Sequence, residues 1–277
     1  MKELAGKVAV ITGGGSGIGR GMALAFAEAG MHVAIGDIEP EAGERVRREV
    51  EAQGVKAIAL PLDVVSREAM EVFAERIYAQ LGAVHLLCNN AGVVTFDLMD
   101  GISDRDWRWV LSVNLDGVIN GLQAFLPRMK AQTGEKHVVN TASIAGIGPN
   151  EGIAPYVASK YAVVGISETL HAERKHHGIG CSVLCPGNVR TQIVASGRNR
   201  QDSVGGPDPR VQRDVQNLIS AGMDPLAVGR IVRQAVLDDD LYIFTHPDTR
   251  AIAEDRFRSI LAAFDKCAAR AGRDESP

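Results

Sequence analysis

Tyr156 and Lys160 are the pair of side chains best suited by type and spacing to acid–base chemistry. They lie four residues apart in a segment that Pro155 could begin as a helix, so both would share one helix face. A free tyrosine has a pKa of about 10, and a nearby ammonium favours its phenolate form. Tyr156 could then exchange a proton with a substrate oxygen. Ser143, at the end of a predicted strand, could donate a hydrogen bond to that oxygen. Taken singly, these residues could equally be a core tyrosine, a solvated lysine and a turn serine.

A glycine cluster, Thr12-Gly13-x-x-x-Gly17-x-Gly19, lies between the first apolar run and a helix-compatible segment. A helix N-terminus there offers unpaired N–H groups and partial positive charge, which suit a pyrophosphate. Gly13 would permit a tight turn, Gly17 a close approach of backbone to phosphate, and Gly19 close packing of helix on strand. Thr12 and Ser16 could add hydroxyl bonds. A glycine-rich turn without a ligand is the alternative.

Asp37 follows the second predicted strand, eighteen residues beyond Gly19. This is near the spacing at which an acidic residue meets an adenosine ribose. A carboxylate there can accept hydrogen bonds from both ribose hydroxyls and would repel a 2′-phosphate. Ser16 and Ile38 supply no cation for such a phosphate, so the sequence favours NAD over NADP. An aspartate that merely ends a strand is the alternative.

The elements that must position these residues are apolar, β-branched runs that alternate with segments of helical period. The runs cover residues 7–12, 32–36, 56–60, 84–88, 137–141, 179–185 and 241–245. Pro40, a Ser103–Asp106 pair that resembles a capping box, and Gly178 mark helix ends. The pattern predicts an α/β fold, a Rossmann-like, doubly wound, seven-stranded parallel sheet with helices on both faces. Ligands bind such sheets at the carboxyl ends of the strands, where the glycine cluster lies.

Composition limits the class of protein. With 277 residues, of which 45% are apolar, the chain can build a sizeable core, and we expect one domain over residues 1–277. A net charge of −4 without a long basic run argues against nucleic acid as a partner. We find neither a membrane span nor a secretory leader and expect a cytoplasmic protein. The four cysteines are predicted to be buried free thiols, and no spacing predicts a metal site; they are Cys88, Cys181, Cys185 and Cys267.

An ordered series of motifs covers nearly the whole chain and resembles the short-chain dehydrogenases/reductases. The series is TGGGSGIG (12–19), LD ending in Asp63, NNAG (89–92), Asn114 in VNLDG, Ser143 in TAS, YVASK (156–160) and PGNVRT (186–191). A lone Y-x-x-x-K arises by chance in many proteins, whereas the whole series in order does not. The resemblance implies a compact, single-domain oxidoreductase that uses NAD to interconvert a secondary alcohol and a ketone. It also implies a homodimer or homotetramer.

The resemblance assigns a role to each matching position. It implies a catalytic set of Asn114, Ser143, Tyr156 and Lys160, in which Lys160 also holds the nicotinamide ribose and Asn114 anchors a water. The implied cofactor contacts are Gly13, Ser16, Gly17, Ile18, Gly19, Asp37, Ile38, Asp63, Val64, Asn90, Ala91, Gly92, Tyr156, Lys160, Pro186, Gly187, Val189 and Thr191.

A long connection over residues 190–224 is expected to cover the substrate, since long connections are usually functional. Within it, Val211, Val215 and Leu218 fall on one helix face, and Asp208 could start that helix. We predict a mobile lid helix; a fixed surface helix is the alternative. The expected pocket lining is mostly apolar, which suits an apolar alcohol or ketone, and comprises Val94, Ile144, Asn150, Ile153, Asn188, Val194 and Val215.

The chain continues past the last predicted strand as an amphipathic helix and tail over residues 246–277. In this extension and in VNLDGVINGLQAFLPRM (113–129), it resembles bacterial dehydrogenases of bulky alcohols, including aryl alcohol Cα-dehydrogenases. That likeness implies a bulky apolar or aromatic substrate. Two other functions stay open. One is an NAD-binding sensor without turnover, which has no need of the catalytic set. The other is a ketoacyl-type reductase, which Asp37 and the extension disfavour.

Overall fold

The seven predicted strands form one parallel sheet in the order β3-β2-β1-β4-β5-β6-β7. The structure, a computed structural model, describes residues 1–208 and 212–274. Because parallel sheets are covered on both faces, their strands are mostly apolar. The predicted fold class is therefore confirmed. The strands are β1 Val8–Thr12, β2 His32–Asp37, β3 Ala57–Pro61, β4 Leu86–Asn89, β5 His137–Thr141, β6 Gly180–Cys185 and β7 Tyr242–Phe244.

Helices connect the strands, and their ends follow the sequence signals. Pro40 lies in the first turn of its helix, Ser103 and Asp106 form the predicted capping box, and Gly178 ends a helix in the left-handed conformation (φ 66°). A π-helical segment, Ser112–Asp116, joins two of the helices. The helices are α1 Gly17–Glu28, α2 Pro40–Glu51, α3 Arg67–Leu81, α4 Asp104–Leu111, α5 Gly117–Ala131, α6 Ala154–Ala172, α7 Arg174–His177, α8 Arg213–Ser220, α9 Pro225–Asp238 and α10 Arg250–Asp274.

Two apolar clusters, one on each face of the sheet, make up the core. Alternate residues of β1 point to opposite faces, so Val10 belongs to one cluster and Ile11 to the other. The Val10 cluster contains buried residues of α3, α4, α5 and α6, and the Ile11 cluster contains those of α1, α2 and α9. This double cover holds α6, which carries Tyr156 and Lys160, and α1, which follows the glycine loop, against opposite faces of the sheet.

Buried titratable groups inside the sheet are kept uncharged. Burial lowers the pKa of His137 to about 3, and its Nε2 lies 2.8 Å from the Ser182 hydroxyl. Burial also raises the pKa of the Cys181 thiol to about 12. Cys88, Cys181 and Cys185 are buried free thiols, as predicted. The predicted burial is wrong for Cys267, because residues 261–270 of α10 are all exposed.

The segment between β6 and α9 differs from its predicted form. It contains two 3₁₀ turns, Ile193–Asn199 and Asp202–Val204, followed by α8. The predicted helix start at Asp208 is wrong, because Gln212 is extended (φ −76°, ψ 106°) and α8 begins after it. Val211 lies outside the described residues. On α8, Val215 is half-buried and Leu218 is 56% exposed.

The C-terminal extension is helical, as predicted, and α10 reaches Asp274. Its first turns contact the body of the protein: a Cβ atom on Gly148 would lie 2.2 Å from the Cγ2 atom of Ile252. Farther along, Phe257 and Phe264 are exposed. Within residues 1–208 and 212–274, no helix combines the length and the apolar character needed to span a membrane.

Candidate active site

A cleft opens where the strand order reverses, between β1 and β4. In doubly wound sheets, this switch point is where ligands bind. We call it the switch-point cleft. Its walls come from the loops after β1, β2, β3 and β4, from α6, and from residues 186–201 after β6.

The glycine loop forms one end of the switch-point cleft. Gly13 has a φ of 62°, and a Cβ atom there would lie 2.8 Å from the Ala91 Cα atom. A Cβ atom on Gly19 would lie 2.1 Å from the Gly13 carbonyl oxygen. Both positions therefore need glycine. The Ser16 side chain accepts no capping hydrogen bond from the described part of the chain, and Ser16, Gly17 and Ile18 line the cleft at the start of α1. The N–H groups of this first turn are thus available to an anion.

Thr12 joins the ends of β1 and β4. Its hydroxyl accepts hydrogen bonds from the backbone N–H groups of Asn90 (2.9 Å) and Ala91 (3.2 Å). The Asn90 side chain donates back to the carbonyl oxygens of Thr12 (3.1 Å) and Gly13 (3.2 Å). The Thr12 hydroxyl, which the sequence offers as a ligand contact, is buried and instead holds two loops of the cleft together.

Asp37 stands at the end of β2 with both carboxylate oxygens facing backbone donors. Gly15 N–H donates to Oδ2 at 2.7 Å and Glu39 N–H donates to Oδ1 at 2.9 Å. Burial raises the pKa of the Asp37 carboxyl, and these two hydrogen bonds oppose the rise. The next residue, Ile38, is 42% exposed and also lines the cleft.

Tyr156 and Lys160 lie one helical turn apart on α6, as predicted, and both line the cleft. Lys160 Nζ donates to the Thr141 carbonyl at 2.8 Å and lies 5.4 Å from the centroid of the Tyr156 ring. Ser143 follows β5 by two residues instead of ending it. Its hydroxyl accepts from Ala145 N–H at 3.1 Å.

The electrostatics of this pair differ from the sequence-based expectation. Burial is the main influence on Tyr156 and raises its pKa, with an opposing interaction from the Ser143 side chain. Burial lowers the pKa of Lys160 to about 8. Removal from water disfavours the phenolate and sets the direction of the shift. Burial thus favours the protonated phenol, the form that donates a proton.

Asn114 lies in the π-helical segment and is fully buried. Its side chain accepts from Val93 N–H at 2.8 Å and donates to the Val93 carbonyl (3.0 Å) and the Ser159 hydroxyl (3.1 Å). A Cβ atom on Gly92 would lie 3.4 Å from Asn114 Oδ1 and 3.5 Å from Lys160 Nζ. Asn114 thus fixes the loop that passes beside Lys160. Irregular π segments are frequent at functional sites.

Most of the expected cofactor contacts share this one cleft. Its lining includes Gly13, Ser16, Gly17, Ile18, Asp37, Ile38, Asp63, Val64, Asn90, Ala91, Gly92, Tyr156, Lys160, Pro186 and Thr191. Three others lie behind the lining: Gly19 packs on Gly13, Val189 is buried beside Met223, and Gly187 N–H lies 3.3 Å from His246 Nδ1.

The expected substrate contacts differ in their burial. Val94 and Val194 are buried, Ile144 and Val215 are half-buried, and Asn150 and Asn188 are exposed. Ile153 is the residue immediately before α6. None of these seven described residues belongs to the lining of the switch-point cleft.

Sequence analysis missed the part of the lining that long-range packing creates. Six of these residues come from the segment after β6, which carries no periodic signal: Gln192, Ile193, Ser196, Arg198, Asn199 and Gln201. Glu39 follows Asp37 by two residues and was overlooked for lack of a motif. Trp109 could have been found from its place on the apolar side of the capped helix α4.

Known dehydrogenases are similar to this chain over most of its length. The family model described as short chain dehydrogenase matches residues 7–202. A C alpha-dehydrogenase of Sphingobium sp. (strain NBRC 103272 / SYK-6) is 33% identical over 267 residues, which are 94% of this chain and 87% of that protein. A 1-deoxy-11-beta-hydroxypentalenate dehydrogenase of Streptomyces exfoliatus is 32% identical over 92% of this chain and 88% of its own length.

Among solved structures, a short chain dehydrogenase/reductase from Burkholderia phymatum in complex with NAD is similar throughout. It superposes with a TM-score of 0.91 and 34% sequence identity, over 95% of this chain and 97% of that one.

Proposed function

The chain belongs to the short-chain dehydrogenase family, and from that premise we propose that it is an NAD-dependent oxidoreductase interconverting a secondary alcohol and a ketone. One observation carries the proposal: Tyr156 and Lys160 line the same cleft as the glycine loop and Asp37. A proton-transferring group and a site suited to a dinucleotide are thereby brought together. A protein that only sensed NAD would not require this acid–base pair.

The residues of the switch-point cleft fit NAD. The free first turn of α1 suits the pyrophosphate, and Asp37 has lone pairs left for ribose hydroxyls after accepting its two backbone hydrogen bonds. Lys160 would hold the nicotinamide ribose. NAD, when bound, supplies the nicotinamide that accepts or returns the hydride. The NAD complex of the Burkholderia phymatum protein supports this assignment.

The chain's own residues then handle the proton. Tyr156 gives its phenolic proton to the carbonyl oxygen during reduction and takes the alcohol proton during oxidation. Ser143 donates a hydrogen bond to the same oxygen and stabilises its developing charge. Lys160, with its pKa near 8, carries positive charge at neutral pH beside the tyrosine ring and favours its ionised state during the reaction. Asn114 holds the Val93 backbone in place.

We propose a bulky apolar or aromatic substrate. The similarity to the Sphingobium C alpha-dehydrogenase and the Streptomyces 1-deoxy-11-beta-hydroxypentalenate dehydrogenase supports this size class. NADH formation from NAD and a panel of secondary alcohols tests both the activity and the substrate class.

We propose that residues 190–224 act as a lid over the substrate. Val215 on α8 is half-buried and Leu218 is exposed, so this helix has apolar surface that a bound substrate could cover. Hydrogen exchange should show protection over 195–208 and 212–220 rising most when NAD and a substrate analogue are both present, and less with NAD alone. Equal protection in the free and both bound states would instead identify a fixed surface helix.

We further propose one domain over residues 1–277, because both core clusters share a single sheet. A cytoplasmic homodimer or homotetramer is the proposed assembly. Exposed Tyr242 and Phe244 on the edge strand β7 support association between copies.

A further inference from the structure

Glu39 and Arg198 form an ion pair at the rim of the switch-point cleft, beside Asp37. The Arg198 guanidinium donates to Glu39 Oε1, with nitrogen–oxygen distances of 2.9 Å from Nε and 2.6 Å from the nearest terminal nitrogen. Asn199 Nδ2 donates to the same oxygen at 2.6 Å. All four residues, Asp37 included, line the cleft. The pair joins the segment after β6 to the loop after β2, across the end of the cleft where Asp37 lies.

This pair determines which charges a ligand meets at that end. Among the described residues that line the cleft, Arg198 and Lys160 are the cations, and Lys160 lies at the other end, beside Tyr156. Arg198 is 36% exposed, as is Glu39, so both are partly removed from water. Burial raises the pKa of Glu39, but the Asn199 hydrogen bond and the Arg198 charge together bring it below its usual value. The Arg198 charge also opposes the rise that burial causes in the pKa of Asp37.

We propose that Glu39 is a specificity-determining residue, which holds Arg198 in an ion pair and so denies it to the 2′-phosphate of NADP. This inference rests on the proposed NAD site. To bind a 2′-phosphate, Arg198 would have to leave Glu39. That would leave two carboxylates, Asp37 and Glu39, facing a dianionic group. Asp37 repels the phosphate directly. Glu39 acts indirectly, because it holds Arg198, the cation beside Asp37, in an ion pair.

Glu39→Gln removes the charge while keeping the shape of the side chain. Glu39 is the residue before α2, and its side chain accepts no capping hydrogen bond from the described residues. The substitution therefore removes no helix cap. Titration of NADH and NADPH by fluorescence should show NADPH binding tightened by about tenfold, equivalent to about 1.4 kcal/mol. NADH binding should change by less than about threefold, because Asp37 still accepts from the ribose. Glu41→Gln, which removes a neighbouring exposed charge, is the matched control and should leave both affinities unchanged.

A double variant assigns the gain to one cation. Arg45 is an exposed cation on α2 whose charge also acts on Glu39. Glu39→Gln with Arg198→Met should lose the NADPH gain, whereas Glu39→Gln with Arg45→Met should keep it. Unfolding temperatures of all variants serve as the control for folding.

Two results would overturn this inference and leave the proposed function intact. In the first, wild type binds NADH but Glu39→Gln leaves NADPH affinity unchanged. In the second, the gain in NADPH affinity persists when Arg198 is also replaced, as simple relief of repulsion would predict. If the wild type binds neither dinucleotide, the proposed function fails and this inference fails with it.

Discussion

Replacing Tyr156 with phenylalanine is expected to reduce turnover by about a hundredfold or more, the scale of lost general acid–base catalysis. The ring would keep its packing on α6, and Lys160 would keep its hydrogen bond to the Thr141 carbonyl. Only the proton-transferring hydroxyl is removed. NAD affinity, measured by titration, should therefore change little, and the loss should appear in kcat.

Tyr161→Phe is the matched control for this substitution. Tyr161 lies on the same helix, and its hydroxyl donates to the Ile147 carbonyl at 3.1 Å. It is not among the described residues that line the switch-point cleft. Loss of the Tyr161 hydroxyl should leave turnover within a few-fold of wild type. Near-normal turnover of Tyr156→Phe, or equal losses in both variants, would contradict the assigned role.

The second large effect concerns the choice of cofactor. The wild type should prefer NAD over NADP by at least about tenfold in kcat/KM, equivalent to about 1.4 kcal/mol. Asp37→Ala combined with Ile38→Arg should shift the preference toward NADP. The first change removes a carboxylate that repels the 2′-phosphate, and the second places a guanidinium at an exposed position on the cleft lining.

Asp37 also accepts hydrogen bonds from Gly15 and Glu39, so its replacement should lower the unfolding temperature. Ile38→Arg alone, which keeps both bonds, separates this structural cost from the change in specificity. An unchanged NAD-to-NADP ratio in the double variant would mean that the ribose is recognised elsewhere.

The parts of the fold that local patterns specify could be predicted from the sequence. Apolar runs located all seven strands, because strands covered on both faces are rich in apolar residues. The capping box at Ser103 and the left-handed Gly178 follow from short-range backbone chemistry. The spacing of Tyr156 and Lys160 likewise placed both on one helix face in the cleft.

Features that depend on long-range packing could not be predicted in this way. The Thr12 hydroxyl bonds to Asn90, which is 78 residues away, and Arg198 meets Glu39 across 159 residues. No local pattern encodes either contact. The direction of the Tyr156 pKa shift could not be predicted for a related reason, since burial depends on how the whole cleft closes around the side chain. The start of α8 was placed too early because a favourable capping residue does not ensure that a helix begins there.

We propose that this chain oxidises secondary alcohols with NAD through Tyr156. The most direct measurement follows NADH absorbance while purified protein is mixed with NAD and a panel of aryl and bulky alkyl secondary alcohols. Wild type should form NADH with at least one of them, the ketone product should match the NADH formed, and Tyr156→Phe should be about a hundredfold slower or worse. NAD that binds tightly while no alcohol yields NADH, and no ketone consumes it in reverse, would contradict the account and identify a binding protein instead.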